Sequence, residues 1–207
     1  MPSENPETCK DKLLYFSPSE KHFSYFTDSL IYICDHNSEG SMGIIVNRTT
    51  NIKTIDLFNS LKLKVVSDLS QQNLLLGGPV NPDAVFVLHG KPLKWDSTVK
   101  VTEQIALTTS GDILESIASG NGPLNYLIAL GYSGWNPKQL DEELAENVWI
   151  QSPADYDIIF NTPAKDQVGA LSKKVGFDLR MVTVSYTHLR AHETPEHLVW
   201  RLLLEKK

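Results

Sequence analysis

Cys34 and His36 stand two residues apart in "YICDHNSEGSMGIIVNR", and in an extended strand that spacing sets both side chains on one face. A thiol beside an imidazole is the arrangement of an activated cysteine, the nucleophile of thiol-dependent redox chemistry. Such a cysteine also needs partial exposure and positive surroundings. Cys34 instead follows Ile31, Tyr32 and Ile33 and precedes Asp35, which points to a buried structural thiol. Further along, "GYSGW" (Gly131, Tyr132, Ser133, Gly134, Trp135) approaches the G-x-S-x-G elbow that presents a hydrolase serine. Trp135 stands where the last glycine is required, so the pattern fails. Its alternative is a turn permitted by Gly131 and Gly134, with Trp135 packing ahead of the next helix as a staple.

The same residue types also suit recognition without reaction. Asp35, His36, Asn37, Asn47 and Arg48 can ring a pocket at one end of a hairpin and offer donors and acceptors to a small ligand. The structural alternative is that His36 and Asn37 bond the turn's own backbone, Gly40 and Gly43 serve its conformation, and Arg48 pairs with an acid. Gly77-Gly78-Pro79 and "GNGP" match neither a dinucleotide fingerprint nor a phosphate loop. The helix start at Thr109–Asp112 offers amides to an anion, but Asp112 already occupies that positive end. His22, His36 and His89 show no ligand spacing and two cysteines are too few for a zinc cluster, so neither metal nor cofactor is expected.

Composition narrows the classes. The 207 residues are 41% apolar and 21% charged, with a formal net charge of −6, a balance suited to a globular core and opposed to a phosphate backbone. No basic run or basic helix-turn-helix is present, which ranks direct DNA binding third among the readings. The opening "MPSENPETCKDK" lacks an apolar stretch of signal-peptide length, and no run approaches a membrane span. Cys9 and Cys34 read as reduced thiols, and the expected location is the cytoplasm. The ending "SYTHLRAHETPEHLVWRLLLEKK", residues 185–207, resembles a translated sequencing adapter and is expected to lie outside the native fold. Without its four basic and three acidic residues, the remainder carries 15 basic against 22 acidic.

Hydrophobic patterning supplies the elements that must position these residues. Residues 1–12 read as a disordered lead-in. Strands are expected at "KLLYF", "SLIYICDH" and "MGIIVNR", the last two joined as a hairpin through "NSEGS". A helix capped by Thr54 carries Ile55, Phe58 and Leu61. Strands follow at "NLLLGG", "AVFVLHG", "STVKV" and "QIALTT", then a helix opened by a Thr109–Asp112 capping box. "LNYLIALG" reads as a buried central strand. Asn136-Pro137-Lys138-Gln139 starts a helix with Leu140 and Leu144 inward and Asp141, Glu142 and Glu143 wet. "NVWIQ" and "YDIIF" read as strands, Thr162-Pro163 caps a last helix ending at Gly176, and "DLRMV" closes the sheet. Four helices at irregular intervals among many strands indicate an α+β domain over residues 13–184.

"YICDHNSEGSMGIIVNR", "LLLGGPV" followed by "FVLHG", "ALTTSGDILESIASGNGP" and "LIALGYSGWNPKQLDEELAENVWI", in that order, resemble the bacterial AlgH/YqgE family. The resemblance implies a single domain whose mixed, bifurcated sheet folds into a pseudo-barrel. It implies no agreed biochemical activity, although some members are described as regulators of exopolysaccharide genes. The opening "SPSEKHFSYF" keeps the family's Pro18 and Phe23 but has Glu20-Lys21 where an acid normally precedes. The resulting expectation is a non-enzymatic regulatory or adaptor protein that binds a protein or small ligand and engages no membrane. Its expected surface comprises His36, Asn37, Gly43, Asn47, Arg48, Gly77, Gly78, Pro79, His89, Gly131, Ser133, Gly134 and Trp135. The enzymatic alternatives use Cys34 or Ser133.

Overall fold

A computed structural model describes residues 8–16, 24–66 and 72–182. His22, Pro18, most of the lead-in and the 185–207 tail therefore lie outside the described residues. Ten strands form one curled, half-barrel sheet: β1 (Lys12–Phe16), β2 (Leu30–Asn37), β3 (Gly40–Ile45), β4 (Thr49–Lys53), β5 (Asn73–Leu76), β6 (Val80–His89), β7 (Thr98–Lys100), β8 (Ala106–Thr108), β9 (Tyr126–Trp135) and β10 (Trp149–Pro153). Their order is β10-β1-β2-β3-β9-β6-β8-β7, with β5 and then β4 branching from β9. The β5–β9 pairing is parallel and the others are antiparallel, which makes the sheet mixed and bifurcated.

Alternating side chains feed opposite faces. Leu13 and Tyr15 of β1 enter a core with Tyr32, Ile44, Leu88 and Ile159, whereas Leu14 and Phe16 join Ile31, Ile33, Trp135, Leu140 and Trp149. A third core gathers Phe58, Leu74, Val87, Ile113 and Ile128 under α1 (Thr54–Ser60) and α2 (Gly111–Ala118). Burial on both faces explains why "LNYLIALG" is nearly continuously apolar, as a central strand with neighbours on each side should be.

The remaining helices are α3 (Gln139–Ala145), α4 (Tyr156–Phe160) and α5 (Gln167–Val175). "YDIIF" is thus a helix, not a strand: Asp155 accepts the Ile158 amide at 3.0 Å as its cap, and Ile158 and Ile159 bury together. "DLRMV" likewise forms a short 3-10 turn over Leu179–Met181 capped by Asp178, and adds no strand. At α1 the cap is Lys53, with Thr54 buried inside the first turn. At α2 the cap is Ser110, whose hydroxyl donates to Asp112, so no Thr109 capping box forms. Residues 9–11, expected in the lead-in, pack against the sheet: Cys9 is buried, and the Asp11 amide donates to the Ile33 carbonyl at 3.0 Å.

Candidate functional site

Two irregularities decide which side chains meet. In β2 the register with β3 shifts between Ile33 and Asp35, so Cys34 joins Leu30 and Tyr32 in one core while Ile31 and Ile33 occupy the other. Beyond this bulge the alternation is reset. His36 therefore pairs with Ser41 on the α3 side, and Cys34 and His36 face opposite ways despite their spacing. In β9 the second reset comes at Gly131, which takes φ +69°. Ile128 and Leu130 face one core, yet Tyr132 packs with the core of Phe86 and Leu88. "GYSGW" is consequently the end of a strand, not a turn or elbow, and Trp135 is turned toward α3.

On the α3 face, Glu143 is buried, contrary to its expected wet position. Its carboxylate accepts the indole N–H groups of Trp135 (2.9 Å) and Trp149 (2.6 Å) and the amide of Gln139 (2.9 Å). Phe26 stacks on Trp135 and meets Trp149 edge-on. The helix starts at Gln139 instead of Pro137, with Lys138 left-handed at φ 66°. The Gln139 side chain still accepts the Asn136 amide at 3.0 Å. Beside this knot, His36 Nδ1 lies 2.8 Å from Ser41 Oγ and Nε2 lies 3.4 Å from Asp141. Cys9 Sγ also reaches this cluster. No sequence spacing signals it, because its members come from four separate elements.

On the opposite face an open groove of about 530 Å³ runs between the β2–β3 hairpin, the end of β9 and the start of β6. Met42, Val80, Phe86 and Tyr132 supply apolar lining, and the charged side chains bordering it are Asp35 and Glu39. Asp35 also stands 3.7 Å from Lys10 and accepts from the Asn37 side chain at 2.8 Å. Among the expected binding residues, Asn37, Gly134 and Trp135 border this groove. The side chain of Trp135 is committed to Glu143.

The other expected residues do not converge there. Asn47 and Arg48 sit at the far end of the hairpin from His36 and Asn37. Asn47 accepts the Leu30 amide and donates to the Asp28 carbonyl, at 2.8 and 2.7 Å. Arg48 donates to the carbonyls of Tyr25 and Thr27 and lies over the Tyr25 ring, so its partners are backbone groups instead of the acid expected. Gly77, Gly78 and Pro79 lead from β5 to β6, where the two glycines cross β9 so closely that a Cβ on Gly78 would meet the Tyr132 carbonyl carbon at 2.1 Å. Gly43 fits against Ile31 in the hairpin. His89 is fully buried at the other end of β6, with Nδ1 on the Gly90 carbonyl and Nε2 on Thr108 Oγ1. Burial holds its pKa below the ordinary histidine value.

Neither enzymatic alternative keeps its nucleophile. Ser133 is completely buried and donates to the Gly77 carbonyl at 3.3 Å, and an unassisted hydroxyl is a poor nucleophile. The Cys34 thiol is buried and donates to the Tyr32 carbonyl. Burial pushes its pKa far above the ordinary thiol value, which removes the thiolate that redox chemistry needs.

Residues 13–180 match the family described as AlgH-like. A UPF0301 protein of Saccharophagus degradans is 40% identical over 163 residues, covering 79% of this chain and 80% of the relative. One from Shewanella loihica is 34% identical over 184 residues, covering 88% and 99%. The solution structure of the AlgH protein from Pseudomonas aeruginosa is similar at a TM-score of 0.72 and 33% identity, covering 91% of this chain and 100% of that one. A crystal structure of a protein from Corynebacterium diphtheriae, at 20% identity and a TM-score of 0.66, shares the fold. With the match spanning almost the whole described domain, the chain belongs to the AlgH-like family.

Proposed function

We propose that the chain is a non-enzymatic cytoplasmic adaptor or regulatory protein that holds a basic, partly apolar segment of a partner protein in the groove between the β2–β3 hairpin and β9. The observation that carries this reading is the groove's lining: an apolar floor of Met42, Val80, Phe86 and Tyr132 beside two carboxylates, Asp35 and Glu39. Aromatic faces and carboxylates together suit lysine or arginine side chains, whose stems pack and whose heads pair. The net charge of −6 draws the same class of partner. Among the described residues no helix is long and apolar enough to cross a membrane. The test is an array of short peptides graded in charge and aromatic content. Basic peptides are expected to be retained, with more than tenfold weaker retention by a Glu39→Lys or Tyr132→Ala protein. Equal retention of acidic peptides, or no effect of either substitution, contradicts the reading.

A second reading comes from Ser41, His36 and Asp141, whose contacts of 2.8 and 3.4 Å resemble a hydrolase relay. Ser41 pairs with Trp135 across the strands, and both border the groove beside Met42. The acid of this trio, Asp141, is half-exposed, unlike the buried carboxylate that orients the imidazole of a relay, which favours the binding reading. Labelling of Ser41 by a fluorophosphonate, lost in a His36→Ala protein, would reverse that preference.

A further inference from the structure

We propose that Cys9, His36 and Asp141 form a binding site for one divalent ion of the zinc class, which fastens the amino-terminal segment to the hairpin and to α3. One ligand atom of each residue, a sulfur, a ring nitrogen and a carboxylate oxygen, lies within 4.8 Å of the other two. Thiolate, imidazole and carboxylate are donors that zinc accepts at about 2.0–2.3 Å, so a tetrahedral ion holds donor atoms roughly 3.3–3.8 Å apart. Asp141 is the half-exposed member, and its carboxylate already lies 3.4 Å from His36 Nε2, within that range.

The surroundings are those of a metal-bound imidazole. Ser41 Oγ engages His36 Nδ1 at 2.8 Å and leaves Nε2 directed at Asp141, the outer-shell arrangement that fixes the tautomer and ring orientation of a ligating histidine. Cys9 is buried, and its segment is anchored by the Asp11 amide on the Ile33 carbonyl and by Lys10 beside Asp35. Gln151 Oε1 accepts from the Cys9 thiol at 3.4 Å. In a nucleophile relay the imidazole stands between nucleophile and acid. Here the sulfur and the carboxylate are themselves neighbours, gathered around one point. Binding exchanges the Cys9 S–H proton for the metal; the proton leaves to solvent, no electrons are transferred, and water completes the coordination. The site stands independently of the groove.

The probe is Co²⁺, titrated into the full chain and followed by Zn²⁺ displacement. The expected result is one ion per chain, with the visible bands of tetrahedral cobalt and a thiolate-to-cobalt charge-transfer band that Zn²⁺ abolishes. Cys9→Ser is expected to remove the charge-transfer band. His36→Gln and Asp141→Asn each weaken binding more than tenfold, and Ser41→Ala weakens it about tenfold as the loss of an outer-shell partner. Asp141→Asn alters a half-exposed residue, so it decides the matter if Cys9→Ser does not fold. Absence of the charge-transfer band in the wild-type chain, or its survival in folded Cys9→Ser protein, overturns the proposal. So does unchanged affinity in Asp141→Asn, or loss of binding when His188, His192 and His197 are replaced by Gln.

Discussion

Single side chains tie separate elements together on the α3 face. Glu143 holds two indoles and an amide on one carboxylate. A Glu143→Gln substitution sets a donor amide against donor indoles and is expected to lower stability by about 2–3 kcal/mol, the scale for stranding buried hydrogen-bonding groups; urea unfolding measures it. The sequence could not reveal this role, because "QLDEELAEN" presents four acids that look alike, and only the two tryptophans brought from β9 and β10 distinguish Glu143. Cys34 was legible as a buried thiol from its apolar neighbours. In a Cys9→Ser protein, iodoacetamide at mildly alkaline pH is expected to leave Cys34 unmodified until denaturant is added. Rapid native-state alkylation would restore the thiol-enzyme reading.

Elements were readable where their periodicity was long and misread where short apolar runs carried local caps. The β2–β3 hairpin and the central β9 follow directly from alternation and from a continuous apolar run. "YDIIF" has the composition of a strand, yet the Asp155 cap and burial of adjacent Ile158 and Ile159 against α5 and the sheet make it helical. Asp155→Ala is expected to cost about 1–2 kcal/mol near neutral pH through loss of this cap. Lys174 and the Ile158 amide hold the Asp155 carboxyl below its ordinary pKa. Its contribution is therefore complete above the unfolded carboxylate pKa and disappears as pH falls through the lower folded value, so the wild-type and variant urea midpoints should converge in acid. Gly131 makes the complementary point about strands. With φ +69° and the Gly78 carbonyl oxygen 2.5 Å from any added Cβ, a Gly131→Ala protein combines backbone strain with a clash. A loss of about 3 kcal/mol is expected in thermal or urea unfolding. Glycine spacing marked this position as special but not whether it made a turn or a left-handed break in a strand's alternation.

At the scale of the whole molecule, the motifs that signal the family are mostly devices of the fold. Gly77-Gly78-Pro79, His89, Asn47 and Arg48 build the sheet's branch point, one end of β6 and the hairpin base, and they do not share a rim with His36 and Asn37. The bulge in β2 and the left-handed Gly131 in β9 then sort the remaining side chains between a polar knot against α3 and an apolar, acidic-edged groove. Face assignment depends on register, and a one-residue irregularity inverts it, which is why the groove could not be assembled from the sequence. The most direct test is mapping of backbone amide shifts while a lysine- and phenylalanine-containing peptide is titrated into the chain. Shifts concentrated at Asn37, Gly40, Met42 and Gly134 are predicted, weakening as salt rises. Shifts centred on Gly78, Arg48 or His89, or none at millimolar peptide, would contradict the groove as the recognition surface.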